Sequence, residues 1–105
     1  MSQSNAEVMR RRSTIEMDIA ILQALSGSKL LKMTHIMYKA KLNATVLKEK
    51  LIVLEARGLI VSHKLHKMHL MGPGRERVFY AVTSKGLEVL RTYLSAYSAL
   101  GRGWF

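Results

Sequence analysis

The chain has 105 residues, and its 17 lysines and arginines against seven acidic residues give a formal net charge of +10 at pH 7. This length supports one domain with a single core, and a hydrophobic content of 49% indicates a folded chain. Because the chain has no cysteine, disulfides, cysteine-ligated zinc sites and thiol catalysis are excluded.

The positive charge is concentrated in the middle of the chain, where residues 29–77 include eleven basic and three acidic residues. Such a field attracts a polyanion, and nucleic acid is the first candidate. A solvated basic surface without a partner is the alternative. No apolar run approaches membrane-spanning length, and the N-terminus lacks a signal-peptide pattern. We therefore expect no membrane segment and a cytoplasmic, nucleoid-associated protein.

Residues 1–12 are predicted to form a flexible basic arm that ends in Arg10–Arg12. Arg11 and Arg12 are candidate DNA contacts, because an arm of this kind adds phosphate affinity or enters a minor groove. A targeting signal is a third interpretation of the same residues, and the sequence does not separate the three.

A first helix is predicted to begin after Ser13, because the segment 13–16, Ser-Thr-Ile-Glu, matches a capping box. Ile15, Ile19, Leu22 and Leu25 recur at helical spacing and predict its buried face.

The segment 30–33 is either a short strand or a loop. A second helix is predicted over 34–40 with Thr34 as its N-cap. The turn after it contains Lys41, a candidate DNA contact, and Asn43, which is predicted to cap the next helix.

A third helix is predicted over 44–57, with Leu47, Leu51 and Leu54 as its core stripe. The N-terminal part of such a helix enters the major groove in helix-turn-helix proteins. Its candidate DNA contacts are Asn43, Ala44, Thr45 and Lys48. Residues predicted to face away from the core stripe are Thr45, Lys48, Glu49 and Ile52.

The segment from Gly58 to Thr83 has the pattern of a β-hairpin between two helices. Gly58 follows a helical run where a left-handed residue ends the helix. Strands are predicted at 59–61 and 78–82, joined by a Gly-Pro-Gly turn at 72–74, and Thr83 is a good N-cap. The predicted fold is mostly α with a small β-hairpin, a winged helix-turn-helix over residues 13–83.

Basic residues flank the predicted turn of this hairpin. The candidate wing contacts are Lys64, Lys67, Arg75 and Arg77. Cations at a hairpin tip reach phosphates or enter a minor groove. The alternative is that they protect an edge strand from aggregation.

The last helix is predicted from Ser84 to about residue 100 and, with the tail, forms a C-terminal segment 84–105. Leu87, Leu90, Leu94 and Tyr97 are spaced three, four and three residues apart, as in a coiled-coil seam. We expect a homodimer through this helix. The alternative is a helix that folds back on the first helix in a monomer.

Other chemistries have little support in the sequence. His63, His66 and His69 repeat every third residue, but on a strand the middle one points to the opposite face, so no metal site is expected. Asp18 is the only aspartate, and no phosphate-binding loop is present. We therefore expect no enzymatic activity, no cofactor and no small-molecule ligand.

Three motifs within residues 14–100 resemble a family of small basic archaeal winged-helix DNA-binding proteins first met in Sulfolobus. They are His-Ile-Met-Tyr-Lys-Ala-Lys-Leu-Asn at 35–43, Leu-Glu-Ala-Arg-Gly-Leu-Ile at 54–60 and Tyr-Ala-Val-Thr-Ser-Lys-Gly at 80–86. In that family the first motif is similar to IMY-x-A-x-L and the last to Y-x-L-T-x-K-G. The resemblance implies a winged helix that dimerises through an antiparallel C-terminal coiled coil.

The resemblance also implies roles for individual residues. Asn43 would cap the recognition helix, with Ala44, Thr45 and Lys48 at the groove. The implied wing contacts are Lys64, Arg75 and Arg77. The family has an aromatic residue in the middle of helix 3 where this chain has Lys50, which either redirects helix packing or adds a phosphate contact.

Together these features predict a dimeric archaeal transcriptional regulator that binds double-stranded DNA in a sequence-dependent way. Members of the resembling family include transcriptional regulators and chromatin-associated proteins, so an abundant, non-specific chromatin protein is one alternative. A winged-helix protein-interaction module is another, because Ile52 and the terminal pair Trp104–Phe105 are large apolar residues outside the predicted core.

Overall fold

The computed structural model describes residues 13–66 and 76–99. The elements in chain order are α1 (Thr14–Ser26), β1 (Leu31–Lys32), α2 (Met33–Ala40), α3 (Ala44–Ala56), β2 (Ile60–His66), β3 (Glu76–Val82) and α4 (Ser84–Ala99). Within these residues no helix has the length and apolar character needed to cross a bilayer. The sequence predictions for the turn at 72–74 and for Arg11, Arg12, Lys67, His69 and Arg75 lie outside the described residues.

The capping box predicted at the start of α1 is confirmed. The Ser13 hydroxyl accepts from the Glu16 amide at 3.1 Å, and Glu16 Oε1 accepts from the Ser13 amide at 3.0 Å. The predicted buried face is correct for Ile19, Leu22 and Leu25 but wrong for Ile15, which is 60% exposed. Ile15 lies in the first turn, whereas α1 packs against α2, β3 and α4. This three-sided packing makes the buried surface wider than one stripe, and it also includes Ile21 and Ala24.

The start of α2 differs from the sequence prediction. The helix begins at Met33, its N-cap is Lys32 without a side-chain cap, and Thr34 lies exposed in the first turn rather than capping it. The reason is β1, which pairs with β3 and ends directly at the helix. Strand pairing holds Lys32 in an extended conformation and so determines where α2 begins. The strand alternative for 30–33 is therefore confirmed.

α3 begins and ends as its local signals predict. The Asn43 side-chain oxygen accepts from the Val46 amide at 2.8 Å, which confirms the N-cap. The core stripe is buried, comprising Leu47, Leu51 and Leu54. At the other end Gly58 has φ of +76°, a left-handed conformation that glycine adopts without steric cost. The chain then turns directly into the core at Leu59 and Ile60.

The sheet has three antiparallel strands in the order β1-β3-β2, so the predicted hairpin is confirmed and gains a third strand. Leu31 lies opposite Tyr80, and Ile60 lies opposite Val82. These pairs place the inner ends of the strands against the helical core, which contains the fully buried Ile21, Leu22, Leu25, Ile36, Leu47, Leu54 and Ile60.

A small set of polar contacts joins the end of α3 to the start of α4, and we call it the α3–α4 junction: Arg57, Gly58, Thr83, Lys85 and Gly86. The Thr83 hydroxyl donates to the Gly58 carbonyl at 2.7 Å and accepts from the Gly86 amide at 3.1 Å. The predicted N-cap is thus confirmed. Lys85 Nζ donates to the Arg57 carbonyl at 3.0 Å, at the C-terminal end of α3. Both elements are therefore held together by hydrogen bonds that involve the backbone.

α4 packs on the rest of the domain along one side. Leu90 is only 6% exposed and belongs to the chain's own core, with Tyr93 half-buried beside it, and α4 contacts α1. The alternative in which the last helix folds back on α1 is therefore correct for this side of α4. The prediction that Leu90 lies in a dimer seam is wrong, because Leu90 is buried in its own domain. Leu87 and Leu94 are 37% and 42% exposed.

Candidate nucleic-acid interface

One face of α3 is turned away from the core, and its geometry follows from the helical repeat. At 100° per residue, Thr45, Glu49, Ile52 and Ala56 lie opposite the buried stripe. All four are exposed, and Ile52 is 69% exposed. We call these four residues the exposed ridge. A helix that presents such a ridge over several turns has the shape needed to enter a major groove.

The candidate DNA contacts at the N-terminal end of α3 are all exposed: Asn43, Ala44, Thr45 and Lys48. The side-chain oxygen of Asn43 is used in the cap, so its amide nitrogen is the group available as a donor. Lys41 is exposed and has φ of 57°, a left-handed conformation that ends α2 and turns the chain toward Asn43. The structure thus brings these five predicted residues together around one helix terminus.

Lys50 lies on the opposite flank of α3 and contacts α1. Its Nζ is 3.2 Å from Asp18 Oδ1 and donates to the Thr14 carbonyl at 3.4 Å. The two side chains of the ion pair are only 16% and 21% exposed. Of the two alternatives stated for Lys50, the packing role is the one that these contacts support.

The wing residues divide between the two faces of the hairpin. Lys64 pairs with Val78 in the register and therefore shares a face with Ser62 and Tyr80. That face is turned toward α3, because the Ser62 hydroxyl donates to Glu55 Oε2 at 2.7 Å. Arg77 alternates to the other face and is half-buried. The structure therefore places Lys64 on the side of α3 and separates Arg77 from it.

A shallow groove of about 270 Å³ runs between α3 and this face of the sheet. Its lining residues are Met33, Lys48, Leu51, Ile52, Glu55 and Tyr80. Burial, together with the negative charge of Glu55, raises the pKa of Tyr80. The tyrosine therefore stays neutral at physiological pH, and Lys48 supplies the positive charge at the rim of the groove.

Tyr38 on α2 is 75% exposed, and the sequence analysis did not assign it to the interface. Its position two residues after the buried Ile36 is the signal that could have found it, because a helix turns the second residue about 200° away. For metals, residues 13–66 and 76–99 contain no group of three His, Cys, Asp or Glu side chains that could hold an ion.

The helices α1, α2 and α3 are followed by a β-hairpin, α3 has an exposed ridge, and one face of the hairpin borders α3. This arrangement defines a winged helix domain. The chain belongs to the winged helix-turn-helix family, whose model matches residues 11–99. A comparison with curated proteins finds no match.

Several solved structures with a similar fold are described as transcriptional regulators or DNA-binding proteins. A PadR family transcription regulator from Clostridium difficile R20291 has a TM-score of 0.69 and 20% identity, covering 81% of this chain and 90% of that one. The DNA-binding protein Sso10a-2 from Sulfolobus solfataricus has a TM-score of 0.61 and 24% identity, with coverages of 85% and 81%. A transcriptional regulator homologue from Pyrococcus horikoshii OT3 has a TM-score of 0.66 and 20% identity, covering 93% of each chain. At these identities the likeness concerns the fold.

Proposed function

We propose that this protein binds double-stranded DNA as a homodimeric transcriptional regulator, with α3 in the major groove and the hairpin on the backbone. The observation that carries the proposal is the exposed N-terminal part of α3, with Lys48 on its flank and Lys64 on the sheet face that borders it. The net charge of +10 and the regulators that share the fold support the same function.

Within this proposal the contacting side chains have different tasks. Asn43 and Lys48 offer donors to base edges or phosphates, and Ala44 and Thr45 present small apolar groups that suit a thymine methyl. The proposed phosphate contacts are Lys41, Lys64 and Arg77, together with the sequence-predicted Lys67, Arg75, Arg11 and Arg12. Phosphate contacts fix the register of the protein on the duplex, whereas base contacts select the sequence.

The dimer is proposed to form through the side of α4 that the core leaves uncovered. Leu87 and Leu94 are seven residues apart, so they lie on the same side of the helix, and Tyr97 lies at its end. Sedimentation equilibrium of the wild type and of Leu94→Glu tests this: we expect the wild type at twice the chain mass of 11.9 kDa and the variant shifted toward that mass. A wild-type protein that sediments at 11.9 kDa at micromolar concentration would contradict the dimer.

Salt dependence is the first test of DNA binding. Binding is measured on a random 30-base-pair duplex and on one from the protein's own promoter, over a range of salt concentrations. A site-specific regulator is expected to prefer the promoter by roughly a thousandfold or more. Equal affinities that fall steeply with salt on both duplexes would instead indicate a non-specific chromatin protein, and no binding at low salt would exclude the proposal.

Two variants locate the interface. Lys48→Ala and Lys64→Ala should each weaken binding to all duplexes and reduce the slope of log affinity against log salt by about 1, as expected for one lost phosphate contact. Lys29→Ala, in the loop between α1 and β1, removes the same charge from an exposed position outside α3, the hairpin and α4 and serves as the matched control, with an unchanged slope. If all three variants behave alike, only the total charge matters and the assigned interface is wrong.

A second candidate function is favoured by two exposed apolar side chains. Tyr38 is 75% exposed on α2, and Ile52 is 69% exposed on α3, so this surface also suits an acidic protein partner. Binding to such a partner depends on apolar burial and should persist at high salt, whereas phosphate-dominated binding should not.

A further inference from the structure

The exposed ridge of α3 has an unusual charge for a surface that is to approach DNA. Of its four residues, Glu49 is the only charged one, and it is an acid. Lysines lie on the flanks of the helix, at Lys48 and Lys50, and not on the ridge. A carboxylate in the centre of the interface is repelled by the phosphates on both sides of the groove. It therefore lowers affinity for DNA in general.

Glu49 also differs from other acidic residues near it in having no role in the fold. Glu16 completes the capping box of α1, Asp18 pairs with Lys50, and Glu55 accepts from Ser62. Within residues 13–66 and 76–99, the exposed Glu49 carboxylate makes no hydrogen bond or ion pair. The Glu49 carboxylate is therefore not engaged in the fold and is available for an intermolecular contact.

A carboxylate in the major groove has one good partner. It is an acceptor only, and cytosine presents its N4 amino group there as a donor without a neighbouring acceptor on the same base. Adenine also has an amino donor, but its N7 acceptor lies beside it and repels the carboxylate. Guanine and thymine present acceptors at this edge. Glu49 therefore gains a hydrogen bond opposite cytosine. Opposite the other bases its carboxylate loses water without a compensating hydrogen bond and is repelled by the acceptor atoms.

We propose that Glu49 is a specificity-determining residue, which accepts a hydrogen bond from a cytosine amino group and lowers affinity for sequences without a cytosine at that position. This inference rests on the proposed function, because it requires α3 in the major groove of DNA. It assigns discrimination to a repulsive element as well as to an attractive one. Lys48, one residue earlier on the flank, supplies attraction to phosphate or guanine, while Glu49 restricts where that attraction is productive.

The test is selection of bound duplexes from a randomised pool by the wild type, Glu49→Gln and Glu88→Gln. Glu88 is exposed on α4, so Glu88→Gln makes the same change in charge away from α3. We expect the wild type and Glu88→Gln to enrich the same sequence, with a cytosine preferred by about tenfold at one position of each half-site. For Glu49→Gln that preference should disappear or change to adenine, the base that an amide pairs with.

Affinity for a random duplex gives a second readout. Glu49→Gln should bind it roughly threefold more tightly than Glu88→Gln, because the removed charge lies between phosphates. Circular dichroism spectra and melting temperatures of the two variants should match, since both sites are exposed on helices. If Glu49→Gln enriches the wild-type sequence with the cytosine retained, the inference is overturned while DNA binding stands. If the wild type binds no duplex, the proposed function and the inference both fail.

Discussion

Thr83 at the α3–α4 junction offers the sharpest test of how this fold is held together. Its hydroxyl donates to the Gly58 carbonyl at 2.7 Å and accepts from the Gly86 amide at 3.1 Å. Thr83→Val keeps nearly the same shape and removes both hydrogen bonds. Thr83→Ser keeps both hydrogen bonds and removes one methyl group, so the pair separates hydrogen bonding from packing.

The expected loss follows from the two hydrogen bonds. An N-cap is worth about 1 kcal/mol, and the bond to the Gly58 carbonyl contributes about 1 kcal/mol more. Thr83→Val should therefore lower the free energy of unfolding by about 2 kcal/mol. For a domain of this size that corresponds to a fall in melting temperature of about 8–16 °C. Thr83→Ser should cost less than about 1 kcal/mol, since only one methyl is lost.

Urea unfolding followed by circular dichroism measures both variants, with thermal melts as the second probe. The m-value should stay constant, because the same surface is exposed on unfolding. If Thr83→Val unfolds at the wild-type urea concentration, the hydroxyl contributes no stability and the interpretation of the junction is wrong. A large loss in Thr83→Ser with little loss in Thr83→Val would instead assign the effect to the methyl group.

Three further predictions concern other parts of the fold. In Gly86→Ala the new Cβ would collide with the Leu59 carbonyl and lie 2.7 Å from Val82 Cγ2. We therefore expect urea unfolding to show a free energy of unfolding lower by about 2 kcal/mol or more. Gly27→Ala is the control and should not destabilise the fold, because its new Cβ would have no atom within 4 Å. Burial, with the hydrogen bond to its neighbour on α4, raises the pKa of Tyr93 to about 12. The folded state therefore holds this proton more tightly than the unfolded state. The resulting stability is fully present below pH 10 and is lost between pH 10 and 12. Urea titrations at each pH should show that the free energy of unfolding of Tyr93→Phe falls less over this range than that of the wild type. For the ion pair between α1 and α3, a double-mutant cycle of Lys50→Met and Asp18→Asn should give a coupling of about 0.5–1 kcal/mol, and a coupling near zero would contradict its role in packing.

The sequence predicted the features that depend on a few neighbouring residues. Ser13 and Asn43 cap their helices because each has a hydroxyl or amide oxygen three residues before a free amide. Gly58 ends α3 because it has no Cβ, and this too is a local property. Since these signals need no knowledge of the tertiary fold, they also located the helix-turn-helix and the hairpin.

What the sequence did not predict depends on contacts between distant segments. Thr34 looks like an N-cap, but pairing of β1 with β3 starts α2 at Met33. Ile15 has the right spacing for a buried face, yet the elements that cover α1 leave its first turn exposed. Leu90 fits a coiled-coil pattern and is instead buried against its own domain. In each case the local signal, a capping residue or a helical spacing, was present, and contacts with a remote element determined the structure that formed.

For the candidate site, the sequence identified the N-terminal residues of α3 and left their surroundings open. The division of Lys64 and Arg77 between two faces follows from the strand register, which places Leu65 opposite Arg77. The pairing of Lys50 with Asp18 spans 32 positions and has no local signal. Charge counting alone therefore does not show which cations share a face with α3.

The α3–α4 junction has a consequence for spacing along the duplex. Thr83 and Lys85 donate hydrogen bonds to the backbone carbonyls of Gly58 and Arg57, so the end of α3 is joined directly to the start of α4. In a dimer joined through α4, the distance and angle between the two α3 helices would then be fixed by the protein alone. Each base pair inserted between half-sites rotates one of them by about 34° around the DNA axis. A protein without a hinge at this point cannot follow that rotation, so a single inserted base pair would leave only one half-site in register.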